Sequence, residues 1–408
     1  MNQTAGAEPV CIVGGGPVGM ITALELERHG IRATILESGP DELRSEWRGS
    51  TLHPPTIEIL DGLGLSADIL NEGVRLERLC YRDLELEGEA SFEYNLLAGL
   101  TRFPFRVQFE QYKLIRLLKR ALRERRVETR YGCAVVGLHQ DDDGVELEVE
   151  SGSARDTIRS RWAIGADGAH STVRKAVQVS FPGFTYPFQS LVVATRFPFD
   201  VYLPDVSPVT YWTGPRGRFS LIRTPDIWRI ALTTDTRSGE AFVRQGSQPH
   251  SHFISDVELL FRGKVDPLEM ELEQHQMYRT HQRLAATFRC KNVLLAGDAA
   301  HLSSTTGGMG LNSGIHDAHA LANAFGQHDR ESSLTAYADG RRRMAEEIIQ
   351  PLTTSSRQGT DLSSVAARAD RLANLVNLAS DPSKAQQYLV RASMLDVAGL
   401  AAGPERVA

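Results

Sequence analysis

Hydrophobic and polar positions along this chain fall into three textures. At the start, Pro9-Val10-Cys11-Ile12-Val13 reads as a short buried strand and Gly14-Gly15-Gly16-Pro17-Val18-Gly19 as a turn. Residues 20–29 then carry helical periodicity, with Leu24 and Leu26 set among Glu25, Glu27 and Arg28. Residues 31–37 form a second apolar run, so the opening predicts a βαβ unit. Helical periodicity returns over 57–70 with a glycine break, whereas 76–94 alternates with period two, as in Leu84-Glu85-Leu86-Glu87. In QYKLIRLLKRALRERR (111–126), Leu114, Leu117, Leu118, Ala121 and Leu122 share one stripe of a basic amphipathic helix. A hairpin follows, with 134–138 and 145–149 joined by Asp141-Asp142-Asp143-Gly144, read as a solvated turn rather than a metal site.

The second texture covers 181–280, where prolines punctuate strand-like runs at 189–197, 209–213, 218–224 and 228–234. It reads as an inserted, mostly β region. After Asn292 the glycine-rich strand-to-helix texture resumes. From 332 to 400 the chain is helical, and its AAGPERVA tail is expected to fray.

Length adds a constraint: 408 residues, at roughly 150 per domain, make two or three domain-sized units. The 41% hydrophobic and 24% charged content is that of a chain able to bury a core. A net charge of −6 is too mild for a nucleic-acid binder or a polybasic membrane protein, which leaves a small molecule as the default partner. The first residues lack the basic region of a signal peptide, and the apolar run from Val10 is too broken to span a membrane. Cys11, Cys80, Cys133 and Cys290 form no CxxC pair and are expected to be reduced thiols of a cytoplasmic protein. Homodimerisation is left open.

Three motifs carry the chemistry. Gly14-x-Gly16-x-x-Gly19 sits between a strand and a helix, where its glycines allow a tight turn and bring backbone N–H groups to a pyrophosphate. Glu37, closing the second strand, is placed to accept ribose hydroxyls and argues against a 2′-phosphate there, so FAD or NAD is expected rather than NADP. Gly62-x-Gly64-x-x-Ala67 matches the loose pattern too, but a helix rather than a strand precedes it. The second motif is the buried run 293–296 followed by Gly297-Asp298-Ala299-Ala300-His301, then Gly307-Gly308-Met309-Gly310-Leu311-Asn312 and Asp317. Asp298 suits a sugar or ribityl hydroxyl, and the GGMG turn presents N–H groups at a helix start. The third is Gly165-Ala166-Asp167-Gly168 through Arg174, again strand, turn and basic helix start. His301, His316 and His319 lack metal-ligand spacing and read as core or motif histidines. Ser171 and Ser313 follow no nucleophile-elbow pattern.

Taken in order, these motifs resemble the flavoprotein aromatic hydroxylases, the FAD-dependent monooxygenases built like p-hydroxybenzoate hydroxylase, over most of residues 9–350. Arg48 in WRGSTLHPPTIEIL and Gln111 at the head of the long helix match the family as well. The resemblance implies an α/β fold, with a Rossmann-like FAD-binding domain interleaved with a mostly β substrate domain and followed by C-terminal helices. The expected division is 1–75, 100–180 and 281–345 for FAD, 76–99 and 181–280 for substrate, and 346–408 as a helical segment. It also implies the cofactor contacts: Gly14, Gly16, Pro17, Val18, Gly19 and Glu37 with Arg48 and Asp167; Gly297 and Asp298 on the ribityl; and Gly308, Gly310, Leu311, Asn312 and Gln111 near the flavin ring. The implied cycle uses NADH or NADPH to reduce FAD and O₂ to form a flavin C4a-hydroperoxide, which hydroxylates a phenol-like or hydroxylated heteroaromatic molecule.

In one place the chain departs from the family. Ser304-Thr305 replaces the usual proline pair beside the flavin, exchanging two residues without N–H groups for two hydroxyl-bearing donors. Strands of the inserted region are expected to roof the pocket with Tyr211, Phe219, Leu221 and Arg223, and His53 faces it from the flavin side. Arg223 is the candidate to pair with an acidic substrate. A same-fold flavin reductase or dehydrogenase, an epoxidase or Baeyer–Villiger oxygenase, and an FAD-holding sensor share the same motifs.

Overall fold

The structure, a computed structural model, describes residues 10–43, 49–203, 205–215, 217–234, 260, 270–355 and 364–397. The short apolar runs pair as the pattern requires. Val10–Val13 lies parallel to Ala33–Glu37 on one side and Trp162–Gly165 on the other, and Val293–Leu295 pairs with Trp162–Gly165. Glu128–Tyr131 and Arg289–Cys290 complete a six-stranded sheet at its two edges. Register brings Val13 opposite both Gly165 and Leu36, and Gly165 opposite Leu295. All three motifs therefore leave the sheet side by side at its carboxyl end, where open α/β sheets bind ligands. The helices Pro17–Arg28 and Met309–Phe325 cross beside this edge, packed so closely that a Cβ on Gly314 would lie 2.7 Å from Val18 Cγ2. Their stripes, with those of Gln111–Glu124, bury Leu24, Leu114 and Leu321 against Ile12, Ile35 and Leu294. Each such side chain contributes about 1.5–3 kcal/mol.

The hairpin at 134–149 gains a third strand, Ala154–Ser160, that the hydrophobic pattern does not announce because it is exposed on nearly every position. Asp141 Oδ1 accepts from the backbone N–H groups of Asp143 and Gly144, so the acidic run serves a turn.

A second, eight-stranded sheet meets the turns at Ser50 and Thr305 through Arg229 and Tyr278. It contains Arg78–Asp83 and Glu89–Glu93 at one edge, then Val209–Gly214, Gly217–Arg223, Trp228–Thr234, Gly183–Thr195 and Leu272–Leu284, and ends on His301–Leu302. Pro187 falls where the pairing with Leu272–Leu284 skips between Thr185 and Gln189, an interruption that tolerates a residue without an N–H.

The C-terminal part is helical: Arg330–Met344, a π turn at Ala345–Ile349, Gln350–Ser355, Val365–Ser380 and Pro382–Ala392. The π turn precedes Pro351, whose missing N–H breaks the regular ladder. The last two helices pack on the edge of the second sheet, where Tyr388 stacks on Phe92 with centroids 4.3 Å apart. The fully buried Arg368 meets Asp83 at 3.0 Å and also Glu85. Among the described residues no helix is long and apolar enough to cross a membrane. Cys11, Cys80 and Cys133 are buried free thiols, and Cys290 is half-buried.

Candidate functional site

The floor of the site is backbone. Gly14 has φ +107°, and a Cβ there would run into the Ala166 carbonyl; a Cβ on Gly19 would overlap the Gly14 carbonyl. These two glycines are fixed by packing. Gly16 is different, since a Cβ there would meet nothing within 4 Å. Pro17 occupies the first turn of a helix whose N-cap, Gly16, has no side chain to cap it and whose first turn holds no acid. This leaves space and N–H groups for a pyrophosphate. Glu37 turns back onto the same turn, accepting from Gly15 N–H at 2.5 Å and Gly39 N–H at 2.6 Å. The residues fit the diphosphate and ribose of FAD.

The third motif braces the second. Asp167 Oδ2 accepts from Val173 N–H, while its buried Oδ1 has no hydrogen bond. Arg174 reaches across to the Ala299 carbonyl at 2.8 Å and lies 3.8 Å over Phe181. Behind Gly297, the fully buried Asp317 accepts from Gly297 N–H at 3.0 Å and pairs with His301 at 2.8 Å and Arg341 at 2.6 Å. Burial alone would raise this carboxyl; the Arg341 charge and His301 hold it well below the usual carboxylate range. Asp298 projects outward from the strand end, exposed. His316 contacts the Thr56 hydroxyl at 3.0 Å, and burial, reinforced by Arg341, lowers its pKa to about 3. His301 and His316 are thus engaged within the fold.

At the other end of the cradle, Gly308 has φ +71° and starts the Met309–Phe325 helix, again without a capping side chain; a Cβ on it would lie 2.8 Å from Thr51 Cβ. Gly310, Leu311 and Asn312 occupy the first turn. Asn312 accepts from His53 N–H at 2.9 Å and donates to the Thr51 carbonyl at 2.8 Å, clamping the 49–53 segment to the glycine turn. Gln111 joins them through its N–H to the Gly49 carbonyl, and a Cβ on Gly49 would lie 3.6 Å from Gln111 Oε1 and 3.7 Å from Leu311 Cδ2. Arg48 lies outside the described residues.

The roof divides its four expected residues. Tyr211 stands opposite Ser220, and Ser220 opposite Ala231, so these share a face with Ile222 and Arg229. That face looks down on the floor: Arg229 Nη1 donates to Ser50 Oγ at 3.3 Å, and the Tyr278 hydroxyl to Thr305 Oγ1 at 3.3 Å. Phe219 stands opposite Trp212, Leu221 opposite Ile230 and Arg223 opposite Trp228, on the other face. Phe219 and Leu221 are buried in that outer core, and Arg223 lies over the Trp228 ring at 5.5 Å. Neighbours along a strand point to opposite faces, so Tyr211 and these three residues cannot line one pocket.

Residues not foreseen adjoin Ser50 and Tyr211: Arg229 and Gln108 meet Ser50, Arg106 lies beside Tyr211 and over the Tyr94 ring, and Ser393 lies beside Tyr94. The signal for Arg229 was present in Trp228-Arg229-Ile230, a lone cation inside an alternating strand. Ser393 had none, since nothing local shows that a C-terminal helix returns to the site. Ser304 is buried and bonds locally to Thr306 Oγ1 at 3.1 Å; Thr305 is the exposed partner of Tyr278. The hydroxyls that replace the proline pair therefore tie the flavin-side turn to itself and to the roof.

Comparison with known proteins agrees with this geometry. A family model described as FAD binding domain matches residues 7–351. The chain is 31% identical to the para-nitrophenol 4-monooxygenase of Pseudomonas sp. (strain WBC-3), over 93% of this chain and 94% of that one. It is 30% identical to the 6-hydroxy-3-succinoylpyridine 3-monooxygenase of Pseudomonas putida (strain DSM 28022 / S16), over 84% and 86%. The crystal structure of p-nitrophenol 4-monooxygenase PnpA from Pseudomonas putida DLL-E4 superposes with a TM-score of 0.85 at 29% identity, over 96% of this chain and 99% of that one. With its glycine motifs converging on one cradle and its matched length nearly complete, the chain belongs to the FAD-dependent aromatic hydroxylases and is an FAD-dependent monooxygenase.

Proposed function

We propose that this enzyme uses NADH or NADPH and O₂ to hydroxylate a small phenol-like or hydroxylated heteroaromatic compound held between the 307–312 turn and the inner face of the second sheet. The observation that carries the reading is the position of Tyr211 and Arg229 on the one roof face that meets Ser50 and Thr305. Bound FAD supplies the redox and oxygen-activating chemistry. The glycine turns and Glu37 hold its diphosphate and ribose, and Gln111, Leu311 and Asn312 border its ring. The roof excludes water and orients the substrate, and the half-buried Arg229 favours an ionised ring oxygen. The polypeptide divides functionally as the motifs suggest, with 76–99 and 181–280 inserted into the FAD-binding stretches. Buried free thiols support a cytoplasmic setting.

The test is NADH and NADPH oxidation by the purified yellow protein, with and without substituted phenols, together with labelled oxygen in the product. A colourless protein that takes up no FAD, or flavin turnover without substrate-linked oxygen, overturns the reading. The second outcome would indicate a reductase of the same fold.

A further inference from the structure

The turn between Gly217–Arg223 and Trp228–Thr234 is tightly closed, with Thr224 donating to the Ile227 carbonyl from its N–H at 2.9 Å and from its hydroxyl at 3.0 Å. Both residues are fully buried. Asp226 projects from this turn toward the floor. Its N–H donates to Glu110 Oε1 at 3.3 Å, its Oδ2 accepts from the Tyr112 hydroxyl at 2.6 Å, and its Oδ1 accepts from Lys113 Nζ at 2.8 Å. Glu110 is the N-cap of the helix Gln111–Glu124, and Tyr112 and Lys113 lie in its first turn. Glu110 and Lys113 are buried. One roof residue therefore holds three of the four residues that open this helix.

Burial alone would raise the Asp226 carboxyl, but the hydrogen bonds from Lys113 and Tyr112 hold it below the usual carboxylate range. The Tyr112 phenol is pushed up by burial and then by Asp226, so it stays a donor. These are charge-assisted bonds from buried or half-buried donors, unlike the surface bridges Arg116–Glu72 at 2.6 Å and Arg120–Asp68 at 2.5 Å further along the same helix. The remaining residue of the helix start is Gln111. Successive helical residues turn by about 100°, which puts Gln111 on the side opposite Glu110, Tyr112 and Lys113. Its N–H meets the Gly49 carbonyl at 3.0 Å, and its Oε1 and Leu311 of the flavin-side turn both border Gly49.

We propose that Asp226 is a positioning residue for Gln111. By holding the opposite side of the first turn it fixes the rotation of that turn, and so sets where the Gln111 amide stands at the flavin ring. The hold comes from the inserted sheet, so the polar surroundings of the flavin depend on the substrate roof being seated on the floor. Three residues after Asp226, Arg229 donates to Ser50, so the same strand also touches the segment that Gln111 faces. This inference rests on the reading of Gln111 as a neighbour of the flavin ring.

The experiment measures the midpoint potential of FAD bound to the holoenzyme, by reductive titration against a reference dye, with the flavin-to-protein ratio as the check on folding. Gln111→Ala should shift the two-electron reduction equilibrium at least about tenfold, roughly 30 mV. Asp226→Ala should shift it in the same direction by at least about threefold. The double variant should show no more than Gln111→Ala alone, because Asp226 acts through the amide. Asp226→Asn and Tyr112→Phe, each keeping part of the hold, should shift it less, and they decide the matter if Asp226→Ala loses its flavin. Glu72→Ala, which breaks the bridge to Arg116 one turn along the same helix, should leave the potential where it was. A potential unmoved by the Asp226 and Tyr112 variants, or moved equally by Glu72→Ala, overturns the assignment. So do shifts that add in the double variant, since a lost charge acting directly on the flavin would add. A potential unmoved in Gln111→Ala would instead remove Gln111 from the flavin ring, and the inference would fall with that reading.

Discussion

The two sheets build their halves of the site by different means. On the floor, recognition comes from backbone: three strand ends aligned by parallel register, glycines that admit a ligand, and helix starts left uncapped. On the roof it comes from side chains whose direction is decided by antiparallel register, so Tyr211 and Arg229 face the site while their neighbours Trp212 and Trp228 build an outer core. The floor should therefore fail all at once when its backbone is blocked. The roof should respond residue by residue, with a period of two.

The largest effect should come from Gly19→Val, because its side chain would occupy the position of the Gly14 carbonyl. FAD affinity should fall at least about a hundredfold, roughly 3 kcal/mol, read as the flavin-to-protein ratio after purification. Next is the support behind the floor. Arg341→Met leaves Asp317 buried and charged and should cost about 3–5 kcal/mol in urea unfolding. Because the folded Asp317 carboxyl lies below its unfolded value, its stabilisation is complete above the ordinary carboxylate range and is lost as pH falls toward the folded value. Asp317→Asn should accordingly flatten the acid limb of the stability curve.

A pair of roof variants sharpens the contrast. Arg229→Ala should raise KM for an ionisable phenol by the equivalent of about 1.5–3 kcal/mol with flavin content intact, whereas Arg223→Ala, on the outer face, should leave KM within about twofold. Equal effects in steady-state kinetics would show that the two faces are not distinct. The smallest change is expected from Thr305→Val, which removes the contact to Tyr278. It should lower the thermal midpoint by the equivalent of about 0.5–1.5 kcal/mol at most.

The same contrast explains what could be read from sequence. Gly14, Gly16 and Gly19 with Glu37, or Gly297 with Asn312, are local patterns whose spacing already contains the strand, the turn and the helix. The roof is non-local. That Arg223 turns outward and Arg229 inward follows from pairings such as Arg223 with Trp228, which alternation alone leaves undetermined by one residue. Leu272–Leu284 and Ala154–Ser160 are strands of largely polar composition, stabilised by ladders rather than by an apolar stripe. Ser393 comes to lie beside His53 and Tyr94 through the helical hairpin of residues 365–392, which Arg368 ties to Asp83.

Interleaving of the two sheets also governs how the chain can be made. The strand Val293–Leu295 must pair with Trp162–Gly165, itself paired with Val10–Val13, and His301–Leu302 closes the opposite sheet. During synthesis neither sheet is complete until the segment around 293–302 has left the ribosome, and every earlier intermediate carries an open strand edge. Folding is then dominated by long-range closure, the kind of topology that folds slowly and leaves strand edges unpaired on the way.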